Sequence, residues 1–231
     1  MNIAIIPARG GSKRIPRKNI RNFHGAPLLK YSIEAARESG LFEKIIVSTD
    51  DHEIAEVAKR YNAEVPFLRP ASLSDDFTTT REVVDHALEW LKNEEFDYDF
   101  SCTIYATAPF LKARYILEGY EALINSSASN SFSATKSSFP MQRMFKINEE
   151  GRCEMFFPEC YTIRSQDLEA SFHDAGQFYW SRIGKVSDLG MFSNDSLPVI
   201  LPQYLVQDID TEEDWVRAEL MYKVMQEARV L

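Results

Sequence analysis

The residues with the most chemical content lie near the N-terminus, in PARGGSKRIPRKN at 7–19. Gly10 and Gly11 let the main chain approach an anion closely and turn N–H groups toward it, and Ser12 adds a hydroxyl donor. Arg9, Lys13 and Lys18 supply positive charge, so the combination suits a triphosphate. The spacing matches neither GxGxxG nor GxxxxGK[ST], so neither a dinucleotide fold nor a P-loop ATPase is indicated. Residues 1–33 hold seven cations and no acid, so the rest of the chain must carry −16 for the total to reach −9. A cationic loop in an acidic protein points to a compact anionic ligand; the alternative is a solvated basic face. The negative remainder argues against a nucleic-acid partner.

A second group is Gln207-Asp208-Ile209-Asp210, expected between a strand and the last helix. Alternate residues at a strand end can aim two carboxylates at one point, and hard oxygen donors near phosphate suit Mg²⁺. Asp210 could equally cap the helix, with Thr211 and Glu213 in its first turn. The third group is Phe67-Leu68-Arg69-Pro70 with Ser74, Asp75 and Asp76. Arg69 could donate to a nucleobase carbonyl or pair with Asp75 on the surface.

The elements that must position these groups alternate. Residues 2–7 and 44–49 read as buried parallel strands, and 28–39 between them has a broad apolar helical face. Ile54, Val57, Ala58 and Tyr61 mark a helix opened by Asp50 or Asp51, followed by a strand at 63–68. A helix through Val83, Ala87 and Leu91 and a strand at 101–106 come next. Strands at 177–180 and 197–201 and a final helix carrying Trp215, Ala218, Tyr222 and Met225 inward complete the pattern. In open α/β sheets, ligands bind beyond the carboxyl ends of the strands, which is where the three groups fall.

The alternation predicts an α/β fold, a Rossmann-like three-layer sandwich with a mostly parallel sheet. At 231 residues and 45% apolar composition one domain is expected. The pattern breaks at 130–159, read as an inserted arm with a hairpin around Glu149-Glu150-Gly151-Arg152. Its Phe139, Met141, Met144, Phe145, Phe156 and Phe157 either complete the core or meet a partner subunit as a dimerisation arm. Cys102, Cys153 and Cys160 are an odd count with no CxxC pair, so neither a disulfide framework nor a cysteine zinc site is expected. With no apolar run of membrane length and no signal-peptide pattern, a cytoplasmic protein without a membrane partner is expected.

The segment IPARGGSKRIPRKN at 6–19 resembles the signature of the CMP-sugar synthetases. VSTDD at 47–51, LRPASLSDD at 68–76 and QDIDTEEDW at 207–215 fall in that family's order, so the resemblance covers nearly the whole chain. FFPECYTIRSQDLEASFHDAGQFYW at 156–180 is similar to the pseudaminic acid cytidylyltransferase branch. The sialic acid branch usually has Leu-Gln-Pro-Thr-Ser-Pro where this chain has Ile104-Tyr105-Ala106-Thr107-Ala108-Pro109, and an Arg-Pro-Asn-Gly type segment in place of His173-Asp174-Ala175-Gly176.

The resemblance implies a nucleotide-diphospho-sugar transferase type of fold and a dimer. It implies transfer of CMP from CTP to an acidic nonulosonic sugar, with attack of the anomeric hydroxyl on the α-phosphorus and departure of pyrophosphate. Arg9, Ser12, Lys13 and Lys18 would meet the triphosphate and Asn19 and Arg69 the nucleoside, with Ala8, Gly10 and Gly11 also in the nucleotide-binding set. Asp208 and Asp210 would hold Mg²⁺, with Arg9 and Lys13 also catalytic. Tyr105, His173 and Gln177 would line the sugar site; His24, His52 and His86 read as structural. Sialic or legionaminic acid is the alternative substrate, and a non-catalytic nucleotide-binding protein the alternative of a different class.

Overall fold

The computed structural model describes residues 1–184 and 190–230. In chain order its elements are β1 (Asn2–Pro7), β2 (Asn22–Phe23), β3 (Ala26–Pro27), α1 (Leu28–Glu38), β4 (Lys44–Ser48), α2 (His52–Arg60) and α3 (Thr80–Asn93). Then follow β5 (Phe100–Ile104), α4 (Ala113–Ile124), β6 (Asn130–Lys136), β7 (Phe145–Ile147), β8 (Cys153–Met155), β9 (Phe172–Arg182), β10 (Ser196–Leu201) and α5 (Glu212–Glu227).

Six strands form one sheet in the order β10-β6-β9-β5-β1-β4. β1 pairs in parallel with both β4 and β5, and β10 with β6, whereas β9 runs antiparallel to β5 and β6. The apolar run of β1 is buried on both faces, as a strand covered on two sides must be. Ile3 and Ile5 pack with Ala87 and Leu91 of α3 on one side. Ala4 and Ile6 join α1, α2, α4 and α5 on the other, in a core that includes Phe178, Trp180 and Trp215. This is the expected three-layer, mostly parallel α/β sandwich.

α4 adds an element to those expected from the sequence. It crosses β9 at Gly119, where a Cβ would stand 2.8 Å from the Phe178 ring and 3.0 Å from that of Trp180. Only a residue without a side chain lets the helix settle there, and the Trp180 indole N–H donates to the Ile116 carbonyl at 3.0 Å.

Three expectations need correction. The segment 63–68 forms no ladder; it touches the sheet only through isolated bridges of Glu64 with Ile46 and Leu68 with Thr49. Residues 207–210 do not follow β10 directly, because a 3-10 turn at Gln203–Leu205 intervenes. The arm does not begin at residue 130: Asn130–Lys136 is β6, flanked by β9 and β10 inside the sheet. Its Ser131, Ser133 and Thr135 are buried, and serine-rich composition hid a core strand whose hydroxyls bond back to the main chain.

The projecting segment starts where Ser137 N donates to Ser171 O at 2.9 Å. It contains the expected hairpin, β7 with β8 turning around 148–152, and extends past the expected end at 159. It is bonded mostly to itself, with Arg143 Nη1 donating to the Tyr161 carbonyl at 2.9 Å and Phe156 N to Met144 O at 3.2 Å. Phe139, Met141, Met144, Phe145 and Phe156 are exposed, so they do not complete the core of the chain.

Candidate active site

A cleft of about 560 Å³ opens beyond the carboxyl ends of β1 and β5. Loop 7–19 leaves β1 and forms one wall; Arg69 and the 73–78 segment form another, and Tyr105–Thr107 the floor. Of the residues expected at a site, Arg9, Ser12, Lys13, Lys18, Asn19, Arg69, Tyr105 and Asp210 line this cleft together. Residues up to 201 positions apart are thereby gathered from four loops, although no two loops share a sequence pattern.

The loop is held by its own polar groups. Asn19 is buried and its amide donates to the Arg9 carbonyl at 2.9 Å, closing the two ends of the loop on each other. Gly10 N donates to the Asp50 carboxylate at 2.9 Å at the end of β4. Ala8 is buried and bonds Ser48 O through its N–H, while Gly10, Gly11 and Ala8 do not face the cleft in this structure.

Every cation of the cleft wall leans on an acid. Arg9 Nη1 lies 2.9 Å from Asp76 and donates to the Asp75 carbonyl at 2.6 Å, and Lys13 pairs with the same Asp76. That contact with the Lys13 ammonium, followed by Arg9, holds the Asp76 carboxyl below the ordinary carboxylate range. Arg14 lies 2.8 Å from Asp210, and the Lys18 ammonium 3.2 Å from it while donating to the Ile209 carbonyl at 2.6 Å.

Arg69 is 5% exposed, which is rare for an arginine. Its Nε donates to Ser74 Oγ at 3.2 Å, and Nη2 stands 3.8 Å from Asp50 with no hydrogen-bond partner. Burial pulls its pKa down, partly offset by Asp50. It does not form the surface pair with Asp75, which instead accepts from Phe77 N and Thr78. Arg69 lines the cleft while its unpartnered Nη2 is itself buried on the Asp50 side; a guanidinium kept in such a place with donor capacity to spare suits an acceptor-rich ligand.

The second role considered for Asp210, helix capping, is taken by others. Thr211 caps α5 with Asp214 in a reciprocal capping box, and Asp214 also accepts from the Asp210 main-chain N–H. The Asp210 carboxylate is left to the cleft. Asp208 is solvent-exposed on one side, and the protein packed on its other side, then the charge of Asp210, raise its pKa. Asp208 does not line the cleft, but the neighbouring charge of Asp210 opposes its ionisation, a burden that a divalent cation beside the two hard-oxygen donors would relieve, so the donor set fits Mg²⁺. Among the described residues no cluster of three or more His, Cys, Asp or Glu could hold a metal. An ion on this pair must therefore complete its shell with water and ligand oxygens, the usual habit of Mg²⁺ at phosphates.

A second cavity of about 590 Å³ adjoins the first, sharing Thr80 and Tyr105. Tyr179, Ser101, Thr103 and Ser181 of the sheet face it, with Asp174, Met191 and Phe192 at its edge. The Tyr179 hydroxyl donates to Asp174 at 2.5 Å, and burial with that bond raises its pKa far above the ordinary value. The Tyr105 and Tyr179 rings lie 5.2 Å apart, and the Tyr105 hydroxyl is 3.5 Å from Thr80 Oγ1. Sequence reasoning missed Tyr179, Asp174 and Thr80; the strand alternation of β9 was the available signal for Tyr179.

Two expected sugar residues stand elsewhere. Gln177 is 3% exposed, and its amide donates to the Leu205 carbonyl at 2.5 Å. It ties β9 to the turn before Asp208 instead of reaching either cavity. His173 is exposed on β9 opposite Thr135, with Nδ1 2.8 Å from its neighbour's carbonyl, and lines neither cavity.

Residues 3–150 match the family model described as Cytidylyltransferase. The chain is 45% identical over 229 residues to the pseudaminic acid cytidylyltransferase of Campylobacter jejuni subsp. jejuni serotype O:2, covering 98% of each chain. It is 32% identical over 239 residues to the CMP-N,N'-diacetyllegionaminic acid synthase of Legionella pneumophila, covering 99% of each. A solved CMP:2-keto-3-deoxy-manno-octonic acid synthetase complexed with CTP superposes with a TM-score of 0.66 at 14% identity, covering 98% of this chain and 99% of that one, which shows a shared fold. With the family model spanning more than half of it and relatives matching it end to end, the chain belongs to the cytidylyltransferase family.

Proposed function

We propose that the protein transfers CMP from CTP to the anomeric hydroxyl of pseudaminic acid, giving CMP-pseudaminic acid and pyrophosphate. The observation that carries this reading is the convergence of Arg9, Lys13, Lys18 and buried Arg69 with Asp210 in one cleft that adjoins a second, tyrosine-walled cavity. The first cavity is the CTP site and the second receives the sugar acid. The 45% identity to a pseudaminic acid cytidylyltransferase supports the choice of sugar.

In this account Arg69 and Asn19, which both line the cleft, hold the nucleoside. Arg9 and Lys13 exchange Asp76 for phosphate oxygens when CTP enters. The anomeric hydroxyl oxygen attacks the α-phosphorus as its proton is released to solvent water, the bond from that phosphorus to the bridging oxygen breaks, and pyrophosphate leaves with the charge that Arg9 and Lys13 stabilise. Asp208 and Asp210 are the residues that would hold Mg²⁺, which when bound supplies positive charge to the reacting phosphate and acidifies an oxygen attached to it. Lys18 keeps Asp210 oriented toward the cleft. Tyr105, at the junction of the two cavities, orients the sugar.

The exposed phenylalanines and methionines of the arm support a homodimer built on it. None of the helices described is long and apolar enough to cross a membrane, and Cys102, Cys153 and Cys160 are free. We place the reaction in the cytoplasm, where CTP is made. Pyrophosphate release with CTP, Mg²⁺ and single sugar acids tests the reading. Release with pseudaminic acid is expected; a folded protein that releases none with any nonulosonic acid would be a nucleotide-binding protein without turnover.

A further inference from the structure

Arg17 lies at the far end of the cationic loop and does not line either cavity. Its backbone sits at φ 56°, ψ 28°, the left-handed region that glycine occupies freely and that strains a residue with a side chain. A side chain kept at such a position has a reason to be there. The guanidinium of Arg17 forks onto Asp51, Nη2 to Oδ1 at 2.9 Å with Nη1 on the other oxygen, and Nη2 also reaches Glu53 at 2.5 Å. Arg–carboxylate forks are the geometrically most specific ion pairs.

Asp51 is engaged on three sides. Its Oδ1 caps α2 by accepting from Ile54 N at 3.0 Å, and Arg17 holds it well below the usual carboxylate range, at about 2. A Cβ added at Gly10 would lie 2.7 Å from Asp51 Oδ2, so the carboxylate fills the space a side chain at Gly10 would need. With Gly10 N on Asp50, the adjacent aspartates at the end of β4 grip both arms of the loop, Gly10 by its main chain and Arg17 by its side chain. The Arg17 carbonyl in turn accepts from Ile20 N at 3.0 Å and Arg21 N at 2.9 Å, which fixes the turn that carries Lys18 and Asn19 into the cleft.

We infer that the Arg17–Asp51 pair is a positioning latch that holds the loop 9–19 in its CTP-binding shape. The inference rests on reading this cleft as the CTP site. Opening the latch releases the turn before Lys18, so the phosphate donors must be reordered each time CTP binds. The cost falls on nucleotide affinity and not on the chemical step, because neither residue touches the reacting atoms.

The test is the Kd of CTP by calorimetry, with KM for CTP and kcat at saturation, for Arg17→Ala, Arg17→Lys, Asp51→Asn and the Arg17→Ala/Asp51→Asn double variant. Asparagine caps a helix about as well as aspartate, so Asp51→Asn removes the fork while sparing α2. Each of Arg17→Ala and Asp51→Asn is expected to weaken CTP binding and raise KM about tenfold, about 1.4 kcal/mol, with kcat within twofold of wild type. The double variant should be no worse than the weaker-binding single variant, and Arg17→Lys should fall in between. Wild-type KM in Asp51→Asn, additive effects, or a loss confined to kcat and melting temperature would overturn the latch. Failure of the wild-type protein itself to bind CTP would instead overturn the assignment of the cleft.

Discussion

Asp210 Oδ1 stands 3.2 Å from the Lys18 ammonium, although the two residues are 192 positions apart. The contact joins the cationic loop to the acidic one and, with Thr211 and Asp214 capping α5, leaves the Asp210 carboxylate no structural duty in the helix. Asp210→Asn and Asp208→Asn are therefore expected to fold normally, to lose about a hundredfold or more in turnover, and to need more Mg²⁺ to recover part of it. Turnover against Mg²⁺ concentration, with a chelator as the zero point, checks this. Wild-type rates and wild-type Mg²⁺ dependence in both variants would remove the pair from the chemistry.

The raised pKa of Asp208 has a consequence for stability. A carboxyl whose folded pKa lies above its unfolded value binds more protons in the folded state, so stability falls as pH rises through that window. The ionised Asp208 is a burden that asparagine does not carry. Metal-free Asp208→Asn should thus melt above the metal-free wild type at neutral pH, and the difference should shrink as pH falls toward the ordinary carboxylate range. Thermal melts across that range decide it; a variant less stable than wild type at neutral pH contradicts the account.

Lys13 and its partner Asp76 make opposite predictions. Lys13→Ala should lower kcat by about two to three orders of magnitude, the cost of losing one positioned donor to a developing negative charge. Asp76 occupies the cations that phosphate must take, so Asp76→Asn should tighten CTP binding a few-fold, the scale of an exposed ion pair. Steady-state kinetics and calorimetry read the two effects. Weaker CTP binding in Asp76→Asn would show that the carboxylate helps to organise the site.

Much of this site could be read from residue order because its chemistry is local. Loop 7–19 announces itself by glycines and cations, and the place before an apolar period narrows the cap of α2 to Asp50 or Asp51, of which Asp51 takes the role. Long-range consequences were harder to see. Gln177 lies among residues that resemble a sugar-binding segment, yet the sheet turns it inward onto Leu205, a contact no spacing rule encodes. Tyr179 faces the second cavity only because β9 inserts antiparallel between β5 and β6. The serines of β6 mimicked a loop, and Gly119 interrupted the helical pattern of α4 while being what its packing requires.

The arm offers Phe139 at 74% exposure, Phe156 at 57% and Phe145 at 56%, a concentration of apolar surface that water disfavours. A second copy of the chain is the expected cover. Sedimentation at micromolar concentration should show a dimer, and Phe156→Asp should shift it toward monomer while leaving the melting of the body, which does not bury this ring, nearly unchanged. A monomeric wild-type protein would refute the arm contact.

The central claim is the identity of the sugar. The most direct measurement is a competition in which pseudaminic acid, N,N'-diacetyllegionaminic acid and N-acetylneuraminic acid are present at equal concentration with limiting CTP and Mg²⁺, and the products are separated by chromatography against authentic standards and weighed by mass spectrometry. The account predicts CMP-pseudaminic acid as the dominant product, formed in step with pyrophosphate. CMP-legionaminic or CMP-neuraminic acid as the main product would contradict it.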